Sequence, residues 1–262
     1  MRLPLLLLLV LPFAACDRNS GTGRAGPSTL ERIVDRGKLI VGIELGFMPF
    51  EYLDESGNIE GFDVDLAREF AKKLEVDVCF EPMKWTVLTT ALQTNQIDMI
   101  WSGMTATILR SRRILFSDTY FRTRLCLLVR TDSGIRTPQD AKGRKLVVKM
   151  GTTGVSVAKK RFPNCERIEL PNENNCAAEV VGGGADAFLY DRFSILRHHK
   201  KHSTTTRVID VLDSVEPYAV ALRPGDYELW RTLNLFLEKA RWDGRYNAIH
   251  KKHFGTLPDD AR

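Results

Sequence analysis

Along the chain, short apolar runs alternate with stretches in which apolar residues return every third or fourth place. Val64, Ala67, Phe70, Ala71 and Leu74 have that helical spacing, so the pattern predicts a helix over 63–74 with one apolar face and Asp63 as its N-cap. Before it, Lys38 to Glu44 reads as a strand that ends at the turn Phe47-Met48-Pro49-Phe50. The same reading predicts strands at 76–81, 97–101, 125–129, 145–149, 166–170, 185–189, 207–211 and 218–222. Helices are expected at 85–94, from the Gly151-Thr152-Thr153-Gly154 turn to about 162, and at 174–181, 191–200, 226–241 and 243–253. This alternation argues an α/β protein with largely parallel sheets. It falls into two sets, which implies two lobes, each a sheet flanked by helices. Tyr120–Val129 and Val215–Leu222 are the extended crossings between them. Lobe 1 is expected at 29–122 and 222–262, lobe 2 at 127–217, and the hinge crossings near 123–126 and 218–221. A cleft between such lobes gathers strand ends and helix N-termini.

The first residues follow a different pattern. Met1-Arg2 is a minimal basic start, and Leu3 to Pro12 is apolar but too short to span a bilayer. Phe13-Ala14-Ala15-Cys16 resembles the lipobox of bacterial lipoproteins, with Phe13 in place of the usual Leu. The expectation is a signal over 1–16, lipidation of Cys16, and a location in the periplasm or on the outer face of the cytoplasmic membrane; an ordinary cleaved signal and an uncleaved anchor are the alternatives. Gly- and Ser-rich residues 17–28 read as a flexible tether.

Composition narrows the classes. With 44% hydrophobic and 27% charged residues in 262, the chain is globular in type. Its formal charge of +5 is spread among interspersed acids, and no nucleic-acid motif is present, so nucleic acid is not an expected partner. Neither a C-x-x-C nor a zinc spacing occurs, so no metal or other cofactor is expected. Cys165 and Cys176 are a candidate disulfide, bridged or free on equal grounds, while Cys79 and Cys126 read as buried thiols. His198, His199 and His202 read as a solvated basic helix face.

Three strand ends carry groups suited to a zwitterion. Ser102-Gly103-Met104-Thr105 followed by Arg110 offers hydroxyls, amides and a guanidinium fork for a carboxylate, although a polar loop with a surface arginine reads the same way. Lys149-Met150-Gly151-Thr152-Thr153-Gly154 would present amides at a helix N-terminus, or be an ordinary turn; it lacks the Gly-Lys-Ser/Thr of a nucleotide loop. Asp191 could take an ammonium, or merely cap the next helix. Trp85, Phe47 and Phe50 could stack on a ligand, or serve as core.

The motifs F-x-P-F, G-F-D-V-D-L-A, S-G-M-T-A-T-x-x-R, F-S-D-x-Y, G-T-T and D-G-R-Y-x-x-I-x-K-K-x-F-G together resemble the periplasmic binding proteins for polar amino acids, from about Thr29 to Gly255. The resemblance implies the two-lobed periplasmic binding protein fold. By position it gives Arg110 the ligand α-carboxylate, with Thr105 and Thr153, and gives Asp191 the α-ammonium, with the Gly103 carbonyl. Phe47 and Trp85 fall at walls of the pocket, and Glu44, Lys149 and Tyr190 where the ligand side chain is read. Ile108-Leu109 and Thr119 depart from the family pattern without touching these positions. Glu44 and Lys149 together would suit an amide, so glutamine is favoured and a basic amino acid comes second. The implied partners are a permease and its ATPase, reached by a non-enzymatic monomer whose lobes close on the ligand. A ligand-sensing lipoprotein is an alternative. So is a cyclohexadienyl-dehydratase-like enzyme, though Ser194 stands where that reading wants an acid.

Overall fold

A computed structural model describes residues 26–258, apart from the side chains of 212 and 213. The expected signal at 1–16, with Cys16, and most of the tether lie outside the described residues. Ser28, the tether's last residue, belongs to the fold. It caps α1 (Thr29–Arg36) in a reciprocal capping box with Glu31. Ser28-x-x-Glu31 is a helix-start signature that the periodicity alone did not bring out. The chain continues through β1 (Lys38–Ile43), a short hairpin of β2 (Tyr52–Leu53) and β3 (Ile59–Glu60), α2 (Phe62–Lys73), β4 (Asp77–Pro82), α3 (Trp85–Gln93) and β5 (Met99–Ile100). Then come α4 (Ile108–Ser111), β6 (Leu115–Phe116), β7 (Phe121–Arg130), a 3₁₀ turn (Pro138–Ala141), β8 (Lys145–Lys149), α5 (Thr153–Arg161), β9 (Glu166–Leu170), α6 (Glu173–Val181), β10 (Ala187–Asp191) and α7 (Arg192–Lys201). The long β11 (Thr206–Tyr218), β12 (Ala221–Leu222), α8 (Tyr227–Trp242) and α9 (Arg245–Phe254) close the described chain.

Two five-stranded sheets result, ordered β4-β1-β5-β12-β6 and β11-β7-β10-β8-β9. Each is mixed, which corrects the expectation of largely parallel sheets. β4, β1 and β5 run parallel, as do β10, β8 and β9, but β12 is antiparallel to β5 and β6, and β7 is antiparallel to β10 and β11. The reason is topological: strands that carry the chain between lobes must come back. The β7–β11 ladder runs from Phe121↔Tyr218 to Arg130↔Thr206, with a register shift between Asp210 and Val215. What read as separate strands at 207–211 and 218–222 is thus one bulged strand plus β12.

Both faces of each sheet are covered. From β1, Leu39, Val41 and Ile43 meet α2 residues Phe62, Leu66 and Phe70, while Ile40 packs against α3 residues Leu88, Ala91 and Leu92. The period-two alternation of a strand makes that division. Full burial of a Leu or Phe side chain stabilises by about 1.5–3 kcal/mol, so these layers are the main hold on strand position.

The second sheet separates the two candidate disulfide cysteines. Cys176 packs with Val147 and Phe188 on one face, while Cys165 packs with Leu146 and Val148 on the other and donates to Ala141 O at 3.0 Å. Both are free thiols, so the candidate bridge is not formed. Cys126 is buried as expected, but Cys79, on edge strand β4, is half-exposed. The α7 face is also less solvated than its basic residues suggest. His198 is buried 3.6 Å from Glu173, and burial pulls its imidazole down to about 4.

Candidate functional site

The cleft is organised by a carboxylate whose role differs from the one expected. Asp63 is not the N-cap of α2; Gly61 is. Only glycine fits there: its φ is +144°, and a Cβ would lie 2.0 Å from Phe50 O. Asp63 follows in the first turn, fully buried, where its Oδ2 accepts from the Gly103 amide at 2.7 Å and the Tyr120 hydroxyl at 2.6 Å. Burial pushes this carboxyl up and the two bonds oppose the push. Asp63 therefore pins the Ser102–Thr105 loop to α2. Gly103 is likewise required, at φ +51° with a Cβ position 2.4 Å from the Phe47 ring.

Ser102 is a second hub. Its hydroxyl accepts from the Glu44 amide at 3.0 Å and donates to Glu51 at 2.5 Å. Glu44 in turn accepts from the Trp85 amide at 3.2 Å, at the start of α3, where a negative charge complements the helix dipole. Its other oxygen binds the Lys149 ammonium, which comes from β8 in the opposite lobe. The Lys149 ammonium also lies 3.3 Å from the Tyr190 hydroxyl and over the Trp85 and Tyr190 rings at 5.9 and 5.5 Å.

Arg110 stands at the other side of the cleft. Thr107 caps the short α4 by accepting from the Arg110 amide at 3.1 Å. The guanidinium donates to Thr105 O at 2.8 Å and, across the cleft, to Gly151 O at 3.1 Å, and it lies 5.3 Å from the centre of the Trp85 ring. Trp85 Nε1 donates to the same Gly151 oxygen at 3.0 Å. Thr153 begins α5, with Thr152 at its N-cap.

Asp191 ends β10 and caps the next helix, one of the two readings the sequence allowed. Its Oδ1 caps α7 by accepting from the Phe193 amide at 2.8 Å, and its Oδ2 accepts from the Tyr218 hydroxyl. Burial raises this carboxyl to about 7 against those two bonds.

The residues surround one pocket of about 440 Å³, counting its open mouth. Glu44, Phe47, Trp85, Gly103, Thr105, Arg110, Thr153, Tyr190 and Asp191 all line it. Lys149 does not; it is held behind Glu44, on a smaller recess that also meets Asn172 and Glu173. Ser194 lies outside the pocket, buried, donating to Glu173 at 2.9 Å. Four lining residues escaped the sequence reading: Glu51, Leu125, Glu216 and Tyr218. Glu216 had a visible signal, an acid inside the apolar crossing Val215-Glu216-Pro217-Tyr218-Ala219-Val220. Its Oε2 accepts from Thr105 at 2.6 Å and Thr153 at 2.7 Å. Burial raises its carboxyl, while the two threonine bonds and Arg110 lower it.

A guanidinium, two hydroxyls and a helix N-terminus, together with a buried carboxylate in the same pocket, complement a zwitterion. The family model described as bacterial extracellular solute-binding proteins, family 3, matches residues 39–256. The chain belongs to that family. Among similar solute-binding proteins, the arginine-binding extracellular protein ArtP of Bacillus subtilis (strain 168) is 37% identical over 95% of this chain and 97% of its own. The ABC transporter glutamine-binding protein GlnH of the same organism is 30% identical over 94% and 93%. A solved ancestral arginine-binding protein bound to glutamine superposes on this solute-binding protein with a TM-score of 0.78, at 36% identity, covering 84% of this chain and 99% of that one.

Proposed function

We propose that this protein captures a polar L-amino acid between its lobes, glutamine first and a basic amino acid second, and presents it to an ABC permease driven by a partner ATPase. Arg110 and the α5 N-terminus take the α-carboxylate, and Asp191 takes the ammonium. Contacts from both lobes make the closed form the preferred one when ligand is held. The protein does this as a monomer without a cofactor, outside the cytoplasm and tied to the membrane through Cys16.

The observation that carries the ligand choice is the Lys149–Glu44 pair, made between opposite lobes beside Tyr190. Paired with Lys149, Glu44 no longer presents an uncompensated charge; its oxygens can accept from a carboxamide and the Tyr190 hydroxyl, which also lines the pocket, can donate to one. One observation favours the basic reading. Besides the paired Glu44, the acids Glu51, Asp191 and Glu216 line the pocket with Arg110 as the cation opposite them, and a cationic side chain would relieve that excess. The dehydratase reading loses support because Ser194 points to Glu173 rather than to the pocket.

Calorimetric titration with the common L-amino acids tests the proposal. Glutamine is expected to bind most tightly, with arginine and lysine next. A panel in which no polar amino acid binds, or in which an aliphatic one binds best, would overturn it.

A further inference from the structure

Two hydroxyls from opposite sides of the cleft give their protons to one atom. Thr105 lies in the loop after β5 and Thr153 is the first residue of α5; both donate to Glu216 Oε2, at 2.6 and 2.7 Å. Each hydroxyl has a single proton to give, so neither can donate to a second acceptor at the same time. Glu216 sits on β11, is 4% exposed, and is also attracted by the Arg110 charge. The strand holds it there: Ala106 N donates to Pro217 O at 2.8 Å, and Thr105 bridges to Tyr218.

Guanidinium, two hydroxyls and the first turn of a nine-residue helix make a seat for a carboxylate, and Glu216 already holds both of its hydroxyls while the guanidinium bonds Thr105 O and Gly151 O. We propose that Glu216 is an intramolecular occupant of the α-carboxylate seat, which an incoming amino acid must displace from Thr105 and Thr153. The inference rests on the reading of this cleft as an amino-acid site. A tethered group competes at high effective concentration, so Glu216 sets the affinity without touching the ligand side chain. It also joins the two lobes through the same pair of threonines that a bound carboxylate would use. Ligand entry thus exchanges one bridging carboxylate for another.

The exchange is tested with Glu216→Gln and Glu216→Ala in two measurements. In calorimetry with glutamine and arginine, both variants are expected to bind about tenfold more tightly than the parent, since charge-assisted bonds to the threonines no longer oppose the ligand. In thermal melts at constant ionic strength, sodium acetate is expected to raise the melting temperature of Glu216→Ala relative to sodium chloride and to leave the parent unchanged. If the parent binds an amino acid and the variants bind it equally or more weakly, Glu216 orients the threonines rather than competing, and the inference fails. If acetate protects Glu216→Ala while no amino acid binds any form, the seat stands and the amino-acid reading falls instead. Glu216→Gln keeps the shape of the side chain, so it decides the first measurement should the alanine variant not fold.

Discussion

Asp191→Asn separates the two demands placed on one side chain, because it keeps the shape and the α7 cap while removing the charge. Asn is as good an N-cap as Asp, so the bond from the Phe193 amide is retained. The parent carboxyl is raised by burial from 3.8 to about 7. At about 1.36 kcal/mol per pH unit, that amounts to about 4 kcal/mol between its two protonation states. Below 3.8 the group is neutral in folded and unfolded chains alike and costs nothing. As pH rises the unfolded chain ionises first, so the folded state loses ground until the folded group has also ionised near 7. Other buried carboxyls respond to pH in both proteins, and the difference between parent and variant isolates Asp191. Urea unfolding at pH 5 and pH 8 is the assay. The variant's stability relative to the parent is expected to improve by about 2–3 kcal/mol between the two, with no further gain at higher pH. In calorimetry the same variant is expected to lose about 100-fold or more in amino-acid affinity, since an ammonium would face a neutral amide. A difference in stability that stays flat from pH 5 to 8, or that falls, would refute the argument that burial without a cation raises this group.

Further outcomes are open to direct measurement. At pH 7 binding to the parent should release about half a proton per ligand as Asp191 ionises, read from calorimetry in buffers of different ionisation heat. Arg110→Ala should fold normally yet lose at least about 100-fold in affinity, because the cation of the carboxylate seat goes while its links to Thr105 O and Gly151 O are replaceable by water. Lys149→Met leaves Glu44 unpaired toward the cleft and should turn preference toward arginine in competition titrations; unchanged preference would remove Lys149 from ligand choice. Gly103→Ala should lower stability by about 1–3 kcal/mol in urea unfolding, from a positive φ combined with a clash against Phe47. Reducing agent should leave the melting temperature unchanged, as Cys165 and Cys176 lie on opposite faces of one sheet.

The sequence by itself determined the alternation of strands and helices, the α/β class and most of the cleft residues. These are legible because each rests on local pattern: apolar period, a strand end, a cap, a hydroxyl-and-arginine loop. Gly61 and Gly103 stood in the sequence only as motif residues, and their positive φ came with the fold. What only the tertiary structure decided depends on residues far apart in the chain. Asp63 looked like a cap because its neighbours are helical; its partners, Gly103 and Tyr120, are 40 and 57 residues away. The direction of β7, β11 and β12 follows from the chain having to return between lobes, which no local period encodes. His198 reads as solvated among basic neighbours, and is buried because α7 turns that side toward Glu173. Glu216 passed unread in the crossing Val215–Leu222, and only folding set it between two threonines 111 and 63 residues away. Burial and pairing are properties of the packed whole, so the chemistry of Asp191 and Glu216 was written in the sequence only as residue type.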